Sequence, residues 1–112
     1  MVLTTDFKNY VRDLIVTNIS TGKLGTDDTA ESETDTDLVS SVSATSLAVT
    51  KRTFNKGYSV DYVLPSGTGN GYTYKEFGIF LSDGTLHSRV TMYDFEKTSD
   101  SELTISQVVT IE

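Results

Sequence analysis

The feature that most constrains the fold of this chain is a change in apolar period at Leu47. Beyond that residue, apolar side chains recur at every second position, and the clearest run is Tyr58, Val60, Tyr62 and Leu64. Alternation with a period of two is typical of strands that bury one face. With 112 residues, the chain is long enough to enclose one hydrophobic core. We therefore expect a mainly β fold, an antiparallel β-sandwich, as a single domain of residues 1–112 with strands between about residues 47 and 111.

The residues before Gly22 follow a helical period instead. Apolar side chains lie three or four positions apart on one face, at Phe7, Tyr10, Val11, Leu14, Ile15 and Ile19. Thr4, Thr5 or Asp6 can cap the start, and Gly22 lies just beyond the end. This spacing predicts one N-terminal amphipathic helix, from about Thr5 to Asn18. Its apolar stripe needs a surface to cover, either the sheet of this domain or, as the alternative, a partner.

An acidic, Thr/Ser-rich segment spans about residues 21–46. It has few apolar residues, so we expect a long surface loop with solvated carboxylates and at most a short helical turn at Asp37–Val42. The acids lack the glycine and glutamate spacing of a calcium-binding EF-hand, and no metal site is predicted. Farther along, Pro65–Gly71 is rich in glycine, but no lysine and no helix follow it. It predicts a flexible hairpin connection rather than a phosphate site.

Asp83 and Gly84 form a strong hairpin signal. A two-residue type I′ turn needs positive φ at both central positions, and Asp and Gly tolerate that conformation best. Counting outward from such a turn places Ser82 opposite Thr85 and Leu81 opposite Leu86. The sequence therefore predicts a hairpin turn at Asp83 and Gly84, with the large apolar residues on one face.

The opposite face of this hairpin carries charge. In the predicted register Arg89 lies directly across from Gly78, where the missing side chain leaves room for the arginine stem. Glu76 is the diagonal neighbour, within reach of a long side chain. We predict a structural brace made of Glu76, Gly78 and Arg89. His87 lies opposite Phe80 on the same face and is interpreted as a structural residue.

The composition argues against catalysis and nucleic-acid binding. The chain has no cysteine, one histidine and a net charge of −7, whereas binding to phosphate backbones requires clustered Lys and Arg. A lone histidine is a poor metal ligand, and no base stands beside a nucleophile. We therefore expect no catalytic, cofactor-binding or metal residues, no enzyme activity and no nucleic-acid partner. The chain also lacks a membrane span and a signal-peptide pattern, so we expect it to be made soluble, with no membrane partner.

Several short motifs occur in order after the helix: Gly25-Thr26, Asp35-Thr36-Asp37-Leu38, Glu76-Phe77-Gly78-Ile79-Phe80, Asp83-Gly84-Thr85-Leu86 with Arg89, Lys97-Thr98, and a last strand from Leu103 to Ile111. This order resembles the small tail proteins and the N-terminal tail-fibre or collar domains of tailed bacteriophages and related viruses. The resemblance covers nearly the whole chain. Each motif alone is common, and their joint order carries the resemblance.

The resemblance implies a non-enzymatic structural protein of the virion, at a tail, baseplate, collar or fibre-attachment point, without a cofactor. The implied partners are other virion proteins and further copies of the chain, in a particle assembled after synthesis in the host cytoplasm. Two alternatives remain open. One is a capsid decoration or turret-base protein. The other is a small glycan-binding module, in which sugars would stack on the four tyrosines Tyr58, Tyr62, Tyr72 and Tyr74.

Overall fold

The chain opens with helix α1, Thr5–Asn18, in the computed structural model, which describes residues 1–112. Thr4 caps the helix, because its hydroxyl oxygen accepts a hydrogen bond from the Phe7 N–H at 3.1 Å. The helix ends where Ile19 adopts an extended backbone, with φ −67° and ψ 131°. The predicted bounds of the helix match the structure. No helix has the length and apolarity that crossing a membrane requires.

Seven strands follow the helix: β1 (Ile19–Gly25), β2 (Leu47–Ala48), β3 (Thr50–Phe54), β4 (Gly57–Leu64), β5 (Thr73–Leu81), β6 (Leu86–Glu96) and β7 (Leu103–Thr110). They form two sheets, one in the order β2-β1-β5-β6 and the other in the order β3-β4-β7. Every pairing is antiparallel. The prediction of a mainly β, sandwich-like antiparallel fold with one N-terminal helix is confirmed.

The core lies between the two sheets. Strand β4 contributes every second residue to it, as its alternating sequence predicted, and β1 and β5 contribute from the other sheet. The buried apolar cluster consists of Ile19, Leu24, Tyr58, Val60, Tyr62, Leu64, Tyr74, Phe77 and Ile79. The rings of Tyr62 and Phe77 meet across the sandwich with centroids 5.1 Å apart. Aromatic side chains thus fill much of a small core.

The prediction that residues 21–46 form a surface loop is wrong at its start. Strand β1 runs through Gly25 and lies between β2 and β5, inside a sheet. The strand has no room for a large side chain at Gly22, because even a Cβ there would lie only 2.6 Å from Cδ2 of Tyr62. Aromatic rings from other strands fill that space. The helical turn expected at Asp37–Val42 is also misplaced, since the short 3₁₀ helix lies at Ser43–Thr45.

The β5–β6 hairpin has a different turn from the one predicted. The Gly84 N–H donates to the Leu81 carbonyl at 3.0 Å, and the Leu81 N–H donates to the Thr85 carbonyl at 2.8 Å. Gly84 alone has positive φ, at 92°, while the Asp83 side chain accepts from the Thr85 N–H at 2.9 Å. This is a three-residue loop, a type I turn closed by a glycine bulge. Ser82 therefore does not face Thr85.

The register of the hairpin agrees with the prediction away from the turn and differs beside it. Gly78 pairs with Arg89, as predicted. A register shift follows Ile79, so that Phe80 lies opposite Leu86 and His87 becomes the extra residue of a bulge. The predicted pairs Leu81–Leu86 and Phe80–His87 are wrong, because the extra turn residue moves one strand by one position at that end.

Candidate functional site

The acid and the arginine of the predicted brace meet in a buried ion pair. Arg89 Nε donates to Glu76 Oε1 at 2.9 Å, and the two side chains are 1% and 0% exposed. Gly78 has a different role from the one expected. A Cβ there would lie 2.8 Å from Leu38 Cδ2, so the glycine makes room for Leu38 rather than for the arginine stem.

The pair is covered by a segment that we call the acidic cap, Thr26–Ser41. Glu76 accepts hydrogen bonds from the backbone N–H groups of Asp27 at 3.3 Å, Val39 at 2.9 Å and Ser40 at 2.9 Å. A Cβ at Gly25 would collide with the Glu76 carboxylate. Residues 26–41 lie at the surface without a helix or strand, and most of their acids are exposed, as expected for this part of the chain. The segment is nevertheless held in place, because its backbone is attached to a buried carboxylate.

Arg89 fixes the other side of the acidic cap. Its Nη2 donates to the Thr29 carbonyl at 2.7 Å, and its Nη1 lies 3.3 Å from Asp35 Oδ2. Burial alone would lower the pKa of Arg89, but the hydrogen bond and charge of Glu76, together with those of Asp35, outweigh burial and leave the pKa raised. The guanidinium is thus a permanent cation that ties two parts of the cap to the sheet.

Some acids of the cap accept hydrogen bonds within the protein. Glu31 accepts from the N–H and the hydroxyl of Thr91, at 3.0 and 2.5 Å, and these bonds lower its pKa. Asp27 accepts from the side chain and N–H of Thr29, which lowers the pKa of its carboxyl as well. The acids are not gathered into a group of three or more that could hold a metal ion. Glu31 and Asp27 accept their hydrogen bonds from N–H and O–H groups of this chain.

Sequence reasoning missed a second buried charge, Lys97. Its side chain is completely buried, and Nζ donates to the Ser66 carbonyl at 3.0 Å, to Asn70 Oδ1 at 2.7 Å and to the Thr98 carbonyl at 3.0 Å. The lysine thereby closes the glycine-rich connection that was expected to be flexible. Lys97 was noted in the sequence only as part of the Lys97-Thr98 motif of the resemblance. Nothing in the local pattern predicted that its side chain is buried.

Most of the tyrosines that suggested a sugar-binding surface are buried. Tyr58, Tyr62 and Tyr74 are buried at 1% exposure or less, and Tyr72 alone is exposed, at 46%. The Tyr58 hydroxyl lies 2.7 Å from Nε2 of His87, whose pKa is lowered by burial. Three of the four rings that suggested a glycan-binding module therefore pack in the core and are unavailable for stacking on sugars, and only Tyr72 is exposed.

Helix α1 turns part of its polar face towards the sandwich. Arg12 Nη1 donates to the Phe54 carbonyl at 2.7 Å, and Asn9 Oδ1 accepts from the Lys56 N–H at 2.8 Å. From β3, Lys51 Nζ reaches back to the Val16 carbonyl at 3.0 Å. These contacts hold the helix against the β3–β4 turn. The predicted apolar stripe is therefore split, and only part of it packs on the domain.

The other part of the stripe faces solvent. We call it the helix ridge, and it consists of Leu3 just before the helix and Phe7, Tyr10 and Leu14 within it, which are 48%, 48%, 60% and 51% exposed. Near its end a cleft of about 520 Å³ opens between the helix and the β5–β6 hairpin, lined by Leu14, Ile15, Asn18, Leu81, Asp83 and His87. Ridge and cleft together form an apolar surface on one side of the domain.

The interior charges are thus engaged in holding segments of the chain, and the ridge brings four exposed apolar side chains together on one helix face. The single histidine has its two ring nitrogens 2.7 and 2.8 Å from Tyr58 and Ser88 oxygens. Comparison of the sequence with protein-family models and with curated proteins gave no match.

Proposed function

We propose that this chain is a non-enzymatic structural protein of a virus particle, an adaptor at the tail, baseplate, collar or fibre attachment that is present in several copies. The observation that carries the proposal is the helix ridge, Leu3, Phe7, Tyr10 and Leu14. Contiguous apolar surface on a small domain marks a place where another protein binds. The partners are other virion proteins, and no cofactor takes part.

The ridge has the form of a helix that docks into a groove. Its residues follow the spacing by which amphipathic helices insert one face into a partner, with anchors three or four positions apart. Complete burial of one large apolar side chain contributes about 1.5–3 kcal/mol. Four side chains that are roughly half-exposed would therefore contribute about 3–6 kcal/mol when a partner covers them. That amount is a substantial part of the free energy of a protein–protein contact.

The placement of the family motifs also supports this role. The Glu76–Phe80 motif lies on β5, the arginine near the Asp-Gly turn is Arg89, and the Lys97-Thr98 motif contains the buried lysine. The motif residues therefore hold the acidic cap and the Pro65–Gly71 connection in place. A protein that acts by presenting a fixed surface needs such internal anchors more than it needs a reactive group.

Incorporation into particles tests the proposal. In particles of the virus that encodes the chain, a cryo-EM map should show this domain in the tail structure. Tyr10→Lys, which places a charge on the ridge, should abolish incorporation. Tyr93→Lys is the matched control, since Tyr93 is 98% exposed on β6, away from the helix. The proposal fails if the chain is absent from particles or if Tyr10→Lys is incorporated as well as wild type, and density on the capsid shell would favour the decoration protein instead.

A further inference from the structure

The four sheet edges of this domain differ in how well they are protected. Strand β2 has only two residues. Strand β3 carries Lys51 and Arg52, and the Phe54 carbonyl at its end is taken by Arg12 of the helix. Strand β6 has two register shifts against β5 and carries Arg89, Asp94 and Glu96. Short length, charge, bulges and coverage are the devices that prevent one sheet edge from pairing with another.

Strand β7 has none of these devices. It runs for eight residues, Leu103–Thr110, without a charged residue or a proline. Its pairing with β4 is continuous from Leu64↔Leu103 to Gly57↔Thr110, without a register shift. It is the last strand of its sheet, so the backbone groups on its outer side have no strand to bond. Val108 is 68% exposed on its outward face.

We propose that β7 pairs with β7 of a second copy of this chain, in antiparallel orientation about a twofold axis. Charge is the reason for choosing a second copy. The chain has a net charge of −7, yet the two strands would meet without an ionised group on either. The alternation of half-buried and exposed residues reads the same in both directions from Ser106, so the strand is complementary to itself.

The alternation allows more than one register, and the charges that flank the strand favour a register centred on Ser106 over one centred on Gln107. Pairing centred on Ser106 places Thr104 opposite the partner's Val108 on the exposed face and Leu103 opposite the partner's Val109 on the half-buried face. Pairing centred on Gln107 would instead place Glu102 opposite Glu112, where like charges oppose each other. The Ser106 register joins two three-stranded sheets into one of six strands. It does not depend on the proposed role in a virus particle.

The mass of the full chain in solution tests the pairing. Light scattering and sedimentation from micromolar to millimolar concentration should show the mass double. The dimer should tighten with added salt, because salt screens the repulsion between two acidic copies. Val108→Lys should abolish the dimer, and Tyr93→Lys on the β6 edge should retain it. A wild-type chain that stays monomeric throughout this range, or a Val108→Lys variant that dimerises like wild type, would overturn the proposal.

Cysteine cross-linking tests the register directly, because the chain has no cysteine of its own. Residues that face each other across an antiparallel pair have Cβ atoms about 4.5–5.5 Å apart, close to the span of a disulfide. Ser106→Cys should therefore oxidise to a covalent dimer. Thr104→Cys is the matched control on the same face, since in this register its copy is offset by four residues, or about 13 Å. If Thr104→Cys cross-links as fast as Ser106→Cys, the Ser106 register is wrong.

Discussion

Replacing Arg89 with alanine would leave the Glu76 carboxylate buried under the acidic cap without its cation. The two side chains are 1% and 0% exposed, so bulk water does not screen either charge in the native protein. Removing one member of a buried ion pair typically costs about 3–5 kcal/mol. Glu76 keeps three backbone N–H donors in the variant, at 2.9–3.3 Å. We therefore expect Arg89→Ala to lower the free energy of unfolding by about 3 kcal/mol, at the lower end of that range.

Urea unfolding at neutral pH, followed by circular dichroism, measures this cost. Arg52→Ala is the matched control, because Arg52 pairs with Asp61 at 2.9 Å while its side chain remains 74% exposed. An exposed pair of this kind contributes less than about 1 kcal/mol. Hydrogen exchange should also accelerate in Arg89→Ala at amides of the acidic cap, since the variant loses the bond to the Thr29 carbonyl.

Two results would refute this reasoning. One is a cost of Arg89→Ala no larger than that of Arg52→Ala, which would mean that water replaces the guanidinium at Glu76 without loss of stability. The other is a double-mutant cycle between Glu76→Gln and Arg89→Ala that shows no coupling energy, because contacting residues of one network should couple by about 0.5–3 kcal/mol. Either result would remove the ion pair as the anchor of the cap.

Three further predictions concern other parts of the domain. Lys97→Met should cost about 1–3 kcal/mol in urea unfolding, because it removes the donor from three acceptors at 2.7–3.0 Å, and wild-type stability would contradict this. Burial lowers the pKa of His87, so the unfolded chain takes up that proton at higher pH. The contribution of neutral, buried His87 to the free energy of unfolding is therefore complete above the ordinary pKa of about 6.5 and falls as the pH drops below it. His87→Gln should flatten the pH profile of the melting temperature, and identical profiles of variant and wild type would contradict this prediction. Gly22→Ala should lower the free energy of unfolding by about 1–3 kcal/mol, because the added Cβ would collide with the Tyr62 ring. Gly67→Ala is the control and should be neutral, since a Cβ there meets nothing within 4 Å. Equal urea midpoints for the two variants would exclude this steric effect.

Elements with a strong local pattern could be predicted from the sequence. The helix bounds followed from the apolar spacing and the threonine at its start, because capping depends on residues next to one another. Strand β4 followed from its period of two. The Gly78–Arg89 register followed from counting outward from a turn, and it survived an error in the turn type because the bulge at His87 compensates for the extra loop residue.

The parts that could not be predicted depend on residues far apart in the chain. Strand β1 has a glycine at the position where the Tyr62 ring fills the core, so its sequence lacks the apolar pattern by which a buried strand is recognised. The exposed acids of the cap were predicted, but its attachment was not, because Glu76 and Arg89, which bind its backbone, lie more than 30 positions away. Lysine is rarely buried, and only the ring of acceptors around Lys97 explains its place.

The attachment of the acidic cap depends mainly on main-chain groups. Glu76 binds the N–H groups of Asp27, Val39 and Ser40, and the shortest bond that Arg89 makes to the cap is to a carbonyl oxygen. Main-chain groups are the same for nearly every amino acid, so the exposed side chains that make no contact with the sheet can be exchanged while the path of the segment is kept. Glu31, Asp35 and Leu38 do make such contacts and should be retained. The cap is consequently a natural acceptor for grafted sequences. Foreign epitopes or binding loops inserted near its exposed residues 32–34 would be displayed on a sandwich whose own fold is unaltered.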